Sequence, residues 1–120
     1  MIKGIGIDII ELGRIKQSIQ NNGRFIERIL TPTEREGYRL LTSDKRKVEY
    51  VAGRFAAKEA FAKAVGTGIG KLSFQDIEVT KLENGSPVLN VKGFESIAIF
   101  ISISHAEHYA VAQVVLETQP

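Results

Sequence analysis

The sequence contains no cysteine, which excludes several kinds of site at once. Without cysteine the chain can form no disulfide, no thiolate metal site and no cysteine nucleophile, so its chemistry depends on oxygen and nitrogen groups. The lack of cysteine also fits a reducing compartment, and we expect a cytoplasmic protein.

Long apolar runs and a strong charge imbalance are missing as well. The apolar start of the chain, residues 1–10, is too short for a secretory signal, and no run approaches the roughly 20 residues that cross a bilayer. We therefore expect no membrane partner. The 16 lysine and arginine residues against 14 aspartate and glutamate residues leave a net charge of +2, which requires no polyanionic partner.

The rest of the composition is that of a folded domain. The 120 residues are 43% hydrophobic and 25% charged, which is typical of globular proteins and too apolar for a disordered chain. A chain of this length buries roughly two thirds of its unfolded surface, so its core is thin. No repeat, linker or low-complexity tract is visible, and we expect one domain over residues 1–120.

The first part of the chain carries the signals of one strand and three helical segments. Isoleucine-rich residues 2–10 predict a strand buried on both faces, and apolar spacings of three and four predict a helix over 11–20. A second apolar segment, 25–30, is expected to continue that helix. Thr31 and Glu34 have the spacing of a capping box, which predicts a further helix to about residue 41.

The longest predicted helix begins after Ser43 and ends at Val65. This stretch is rich in alanine, has no proline, and contains only one glycine, Gly53. Glycines at Gly66, Gly68 and Gly70 then end the helix.

Beyond residue 76 the pattern changes to that of β-strands. Segments 77–83 and 88–92 flank Asn84-Gly85, a strong hairpin signal, and two β-branched segments follow at 97–104 and 109–117. We therefore expect an α+β domain in which one long helix packs on an antiparallel sheet.

Two charged residues in the long helix are candidates for chemistry. Glu59 and Lys63 are four residues apart and therefore lie on one helix face, whereas Lys58 points elsewhere. The alternative is an ordinary solvated ion pair. The surrounding alanines and phenylalanines favour a cleft over solvent.

Asp8 is the second candidate, because it lies in an otherwise apolar strand. A buried carboxylate costs several kcal/mol unless it is paired, protonated or bound to metal. The alternative is that the strand ends earlier and Asp8 caps the next helix. Together with Glu59, it could supply the one or two carboxylates that Mg²⁺ usually takes from protein, leaving other positions to water and phosphate oxygens.

Other patterns are weaker. The glycine-rich loop 66–70 could offer N–H groups to a phosphate, but it follows a helix, and on pattern alone a simple helix stop is favoured. Ser102, Ser104 and His105 lack the glycine pattern of a hydrolase nucleophile, and His105 with His108 makes an improbable zinc pair outside a helix.

Three segments together carry a specific resemblance. They are Gly4-Ile5-Gly6-Ile7-Asp8-Ile9-Ile10-Glu11, the stretch Gly53–Ala64 with its F-x-x-K-E-A-x-x-K-A pattern, and the adjoining Val65-Gly66-Thr67-Gly68-Ile69. The combination resembles the holo-acyl-carrier-protein synthase family of 4′-phosphopantetheinyl transferases. The resemblance implies that family's fold, although residues 81–100 carry no family signature.

The resemblance also implies roles for individual residues. Asp8 and Glu59 would hold magnesium, which grips the pyrophosphate of coenzyme A, and Lys63 would neutralise the departing phosphate. The further residues expected near coenzyme A are Lys45, Arg46, Lys47, Arg54, Gly66, Thr67, Gly68 and His105.

The implied reaction moves the 4′-phosphopantetheine group of coenzyme A to a serine of apo acyl carrier protein in fatty acid biosynthesis. Adenosine 3′,5′-bisphosphate leaves, and either a metal-bound water or Glu59 takes the serine proton. The family docks its acidic carrier on a basic helix, where the matching residues are Arg14, Arg24, Phe25 and Arg28. It also forms homotrimers with coenzyme A between subunits.

A different function, a small nucleic-acid-binding module, would use the same basic residues on phosphates. It predicts binding that weakens steeply with salt. Aromatic residues are few and are not interleaved with the basic ones, so we expect no nucleic-acid partner.

Overall fold

The computed structural model describes residues 1–67 and 72–118. In chain order its elements are β1 (Ile2–Glu11), α1 (Leu12–Asn21), α2 (Phe25–Ile29), α3 (Pro32–Leu40), α4 (Asp44–Val65), a 3₁₀ turn (Phe74–Asp76), β2 (Ile77–Lys81), β3 (Pro87–Val91), β4 (Ile97–His105) and β5 (Tyr109–Thr118).

The helices begin and end at the residues that local signals predict, with one exception. Thr31 and Glu34 make both hydrogen bonds of a capping box at the start of α3. Ser43 caps α4, and Gly66 ends it in the left-handed conformation. The exception is α2, which does not continue α1: Asn22 accepts a hydrogen bond from the Arg24 backbone N–H at 3.0 Å and separates the two.

Two antiparallel sheets form the β-structure. β5 lies between β1 and β4 in the larger sheet, and β2 pairs with β3 as the predicted hairpin. Helix α4 packs on the inner face of the larger sheet, against small and branched residues of β1 and β5. The predicted α+β architecture with one long helix on an antiparallel sheet is confirmed.

Two glycines of β1 allow the backbone of α4 to lie directly on the strand. A Cβ at Gly4 would overlap the carbonyl oxygen of Ala64, and one at Gly6 would overlap that of Ala60. The glycines of β1 and the alanines of α4 therefore bring the two backbones close together, so that neighbouring side chains of the strand and of the helix can contact one another.

The prediction that β1 is buried on both faces is wrong within a single chain. Ile5, Ile7 and Ile9 are each more than half exposed, as is Phe100 of β4. Successive strand residues point to opposite faces, so these residues share the side away from α4. We call this the outer face, and no segment among residues 1–67 and 72–118 covers it.

A second buried cluster holds the N-terminal helices against the start of α4. It contains Leu12 and Ile15 of α1, Ile29 and Leu30 at the end of α2, and Val51 of α4. This packing fixes α1 and α2 against the first half of α4. Within the described ranges, no helix is both long and apolar enough to cross a membrane.

Candidate active site

Asp8, Glu59 and Lys63 meet where β1 lies on α4. The ammonium of Lys63 donates to Asp8 Oδ1 and to the Ile7 carbonyl oxygen, both at 3.0 Å. The Asp8 side chain is 15% exposed and that of Lys63 is 53% exposed. The cation is therefore held by the strand but remains accessible to a ligand.

Glu59 lies close enough to Asp8 for their charges to interact. Burial raises the pKa of Glu59, the Asp8 carboxylate raises it further, and the Lys63 ammonium opposes both. Two carboxylates beside one ammonium carry a net negative charge, which favours an added cation.

The structure decides between the alternatives for these residues. β1 continues to Glu11, which is itself the N-cap of α1, so Asp8 does not cap that helix. Lys63 reaches across to β1 for its hydrogen bonds, so it is more than the solvated partner of Glu59.

A basic cavity of about 200 Å³ lies at the other end of α4, and three of the residues predicted for coenzyme A line it. Arg46 and Arg54 line it from α4 and His105 lines it from the end of β4. Glu49 lies between two of them, 3.7 Å from Arg46 and 3.5 Å from His105. Its lining includes neither Asp8 nor Glu59.

Arg54 is the best-defined cation of this basic cavity. Its guanidinium lies 3.5 Å from the centroid of the Tyr50 ring, and the residue is only 9% exposed. Burial lowers the pKa of Arg54, while Tyr50 and Glu34 oppose that shift. Its Nε atom has no hydrogen-bond partner within the described part of the chain, which leaves a buried donor for an anion.

The remaining predicted coenzyme A residues are spread more widely. Lys45 lines a separate cavity beside α1, and Lys47 lies 5.4 Å from the Tyr38 ring centroid. Gly66 is the C-cap of α4 and Thr67 follows it, while Gly68 lies outside the described residues. The run of three basic residues thus does not act as one patch.

The residues predicted for carrier docking lie on α1 and at α2. Arg14 and Phe25 line one shallow groove between these helices, and Arg24 and Arg28 are exposed beside it. Phe25 is half-buried and stacks on Phe55 of α4 at 6.4 Å between centroids. The four residues therefore lie near one another, and their role in carrier docking stays a prediction.

Sequence reasoning missed the role of Lys58. Its ammonium is fully buried and donates to Glu34 Oε1 at 2.6 Å, to the Ile29 carbonyl oxygen at 2.7 Å and to the Phe74 carbonyl oxygen at 3.1 Å. Burial lowers the pKa of Lys58, and Glu34 opposes that shift. Lys58 and Glu59 are adjacent charged residues, and nothing in the sequence indicated that the Lys58 side chain would be buried.

A larger cavity, of about 660 Å³, contains none of the predicted site residues. It lies between the β2–β3 hairpin and β4, and Gln75, Asn90 and Phe94 are among its lining residues. The size of a cavity therefore does not identify the candidate active site.

Comparisons with known proteins show the family to which this chain is similar. The family model described as the 4′-phosphopantetheinyl transferase superfamily matches residues 4–114. The holo-[acyl-carrier-protein] synthase of Oceanobacillus iheyensis is 60% identical over 119 residues, which cover 99% of both chains. The protein of the same name from Bacillus subtilis is 55% identical, over 98% of this chain and 97% of its own.

A solved structure of a relative has the same fold as this chain. The holo-(acyl-carrier-protein) synthase of Bacillus anthracis, in complex with CoA (3′,5′-ADP), superposes with a TM-score of 0.92 at 53% identity and covers 99% of each chain. The chain therefore belongs to the holo-acyl-carrier-protein synthases of the 4′-phosphopantetheinyl transferase superfamily.

Proposed function

We propose that this protein transfers the 4′-phosphopantetheine group of coenzyme A to a serine of apo acyl carrier protein, in fatty acid biosynthesis. The observation that carries the proposal is the meeting of Asp8, Glu59 and Lys63 at one accessible place between β1 and α4. The relatives of the same name, and the structure in complex with CoA (3′,5′-ADP), support it.

The two carboxylates fit magnesium as the metal. Mg²⁺ prefers oxygen ligands and is usually held by one or two protein carboxylates, with water and substrate phosphates at its other positions. A ligand set of Asp8 and Glu59 would leave the other positions to water and substrate phosphates, which suits a site shared with the substrate. When bound, the metal supplies charge stabilisation at the reacting phosphates.

The reaction needs no nucleophile from this chain. The carrier serine oxygen bonds to the β-phosphorus, the bond from that phosphorus to the bridging oxygen breaks, and adenosine 3′,5′-bisphosphate leaves with the electron pair. Lys63, with its exposed ammonium, neutralises charge on the departing phosphate. Glu59, which lies close to Asp8 beside the reacting phosphates, would be one base for the serine proton.

The nucleotide end of coenzyme A is expected in the basic cavity. The buried guanidinium of Arg54, with its unused Nε donor, suits a phosphate, and Arg46 and His105 line the same space. Because the cavity of one chain excludes Asp8 and Glu59, we assign the two halves of the complete site to different copies of the chain.

The outer face supports a homotrimer that would bring these halves together. Ile5, Ile7, Ile9 and Phe100 expose a contiguous apolar surface, which a lone chain would leave in water. Phe100 pairs with Val115, and Val115 pairs with Ile5, so one apolar row crosses all three strands. Closed assembly through this face would bury that row.

Replacing Phe100 by lysine is therefore expected to dissociate the trimer. A charge in the apolar row cannot be buried without a partner, so the variant should sediment as a monomer and lose at least about tenfold in activity. Leu40→Lys is the matched control, because Leu40 is equally apolar and 82% exposed on α3, away from the sheet. Analytical ultracentrifugation measures the outcome, and a trimeric, active Phe100→Lys protein would remove this face from the assembly.

Carrier docking is assigned to the groove of α1 and α2. Arg14, Arg24 and Arg28 would meet the acidic carrier, and Phe25 would supply the apolar contact. Complementary charge of this kind speeds encounter and sets orientation more than it adds affinity.

The transfer reaction is tested by the mass of the carrier. The protein is incubated with coenzyme A, magnesium and an apo acyl carrier protein, and the carrier should gain the mass of one phosphopantetheine group. A carrier whose serine is replaced by alanine is the control and should gain nothing. An unchanged apo carrier under these conditions would contradict the proposed function.

Magnesium should stabilise the protein in a pH-dependent way. The folded-state pKa of Glu59 lies above its unfolded value, so protonation of Glu59 favours folding, and this contribution is lost as pH rises through the raised pKa. At neutral pH Glu59 is ionised, and a bound magnesium ion offsets the free-energy cost of its charge. At ten times its Kd, magnesium is expected to add about 1.4 kcal/mol and to raise Tm by about 5 °C.

The shift in Tm should shrink as pH falls through the pKa of Glu59, because protons then compete with the metal. Thermal unfolding at about pH 4, below even the ordinary pKa of a glutamate, and at about pH 7.5, with and without magnesium, measures it. Glu59→Gln is the control and should respond to magnesium at neither pH. Equal magnesium shifts for the wild type at both pH values would exclude Glu59 as a ligand.

A further inference from the structure

Helix α2 is short, yet its C-terminal end is held by three side chains from three other elements. Gln75 Nε2 contacts the carbonyl oxygens of Glu27, Arg28 and Leu30 at 2.8, 3.1 and 2.9 Å. Arg35 Nη1 contacts those of Glu27 and Leu30 at 3.2 and 3.3 Å. The Lys58 ammonium donates to the Ile29 carbonyl oxygen at 2.7 Å.

The four consecutive carbonyls 27–30 thus all accept side-chain hydrogen bonds. The last carbonyls of a helix have no partner within it, and a five-residue helix is unstable by itself. The three donors here, which we call the α2 clamp, come from α3, α4 and the 3₁₀ turn.

The clamp connects α2 to the buried centre of the molecule. Lys58 joins the carbonyl of Ile29 to the carboxylate of Glu34, which also accepts the Val79 backbone N–H at 2.8 Å. Lys58 is the residue directly before Glu59. A displacement of α2 is therefore resisted by the same turn of α4 that carries a catalytic carboxylate.

We propose that Gln75, Arg35 and Lys58 are positioning residues that fix α2 relative to α4, so that a docked carrier protein presents its serine to the site at Glu59. The inference rests on the proposed function, because it takes Arg24, Phe25 and Arg28 of α2 as carrier contacts. The clamp touches no part of the basic cavity, so it should affect the carrier and not coenzyme A.

Gln75→Ala tests the clamp at its most exposed point. Loss of these hydrogen bonds is expected to raise the KM for the carrier about tenfold, with the KM for coenzyme A changed less than about twofold. Asn90→Ala is the matched control, since Asn90 lines the same 660 Å³ cavity, is also a neutral amide, and donates to Thr80 instead of α2. Its kinetics should equal those of the wild type.

Arg35→Ala gives an independent second variant. Arg39→Ala controls for the lost charge, because Arg39 is one helical turn further along α3 and exposed. Arg35→Ala should raise the carrier KM more than Arg39→Ala does, and Gln75→Ala with Arg35→Ala should exceed either change alone. Lys58 itself is not replaced, because its loss would leave Glu34 buried without its cation.

Hydrogen exchange gives a readout that is independent of activity. Amides of residues 25–30 should exchange faster in Gln75→Ala than in Asn90→Ala, while those of α4 are unchanged. Unchanged exchange in α2, or equal increases in both KM values, would overturn the clamp. If the wild type transfers nothing, the proposed function fails, and faster exchange in α2 would then show that the clamp is structural and overturn its role in positioning the carrier.

Discussion

Replacing Asp8 or Glu59 by alanine is expected to abolish transfer to the carrier while the protein remains folded. Each carboxylate is one of the two that we assign to the metal, so its loss should remove charge stabilisation worth several kcal/mol at the reacting phosphates. Since about 1.4 kcal/mol corresponds to a factor of ten in rate, turnover should fall by about a thousandfold or more. The carrier mass assay, run as a time course, measures this loss.

The fold should survive these substitutions because neither side chain belongs to the buried apolar clusters. In Asp8→Ala the ammonium of Lys63 keeps its hydrogen bond to the Ile7 carbonyl oxygen. Glu36→Ala, which removes an exposed carboxylate of α3, is the control and should be fully active. Normal turnover by either Asp8→Ala or Glu59→Ala would withdraw the metal assignment.

Gly6→Ala is expected to cost the protein a large part of its stability and most of its activity. The added Cβ would overlap the carbonyl oxygen of Ala60 and lie 2.7 Å from the backbone nitrogen of Ala64. Backbone atoms of a buried helix cannot move aside as a flexible side chain can, so α4 must shift away from β1. The free energy of unfolding should fall by about 3 kcal/mol, the upper range for overpacking.

The same shift would separate Asp8 from Glu59 and Lys63. A displacement of about 1 Å between catalytic groups can reduce the rate about a hundredfold, so the folded fraction of Gly6→Ala should also be slow. Urea unfolding at fixed protein concentration measures the stability, and the mass assay measures the rate.

Gly13→Ala is the matched control for Gly6→Ala. Gly13 lies in α1 with nothing within 4 Å of its Cβ position, so alanine there should stabilise the helix by about 0.5–1 kcal/mol. If Gly6→Ala unfolded at the same urea concentration as the wild type, the close approach of β1 and α4 would not limit the fold.

Much of the local structure could be predicted from neighbouring residues. The capping box of Thr31 and Glu34, the cap at Ser43 and the stop at Gly66 each depend on interactions within one helical turn. The β2–β3 hairpin follows from its turn and from alternating residues. The resemblance also identified Asp8, Glu59 and Lys63 before any fold was known, because their motifs are short and contiguous.

What the sequence determined by itself is thus the order of helices and strands and the α+β class, while the roles of Asp8, Glu59 and Lys63 stay a prediction for mutagenesis to test. Only the tertiary structure decided that Lys63 bonds to Asp8, that Lys58 is buried on Glu34, and that one face of the larger sheet is left apolar. The physical reason is how far apart the interacting residues lie in the sequence. Caps and turns are encoded within a few residues, whereas the Lys58–Glu34 and Lys63–Asp8 contacts join residues 24 and 55 positions apart and exist only after α4 has packed on α3 and on β1.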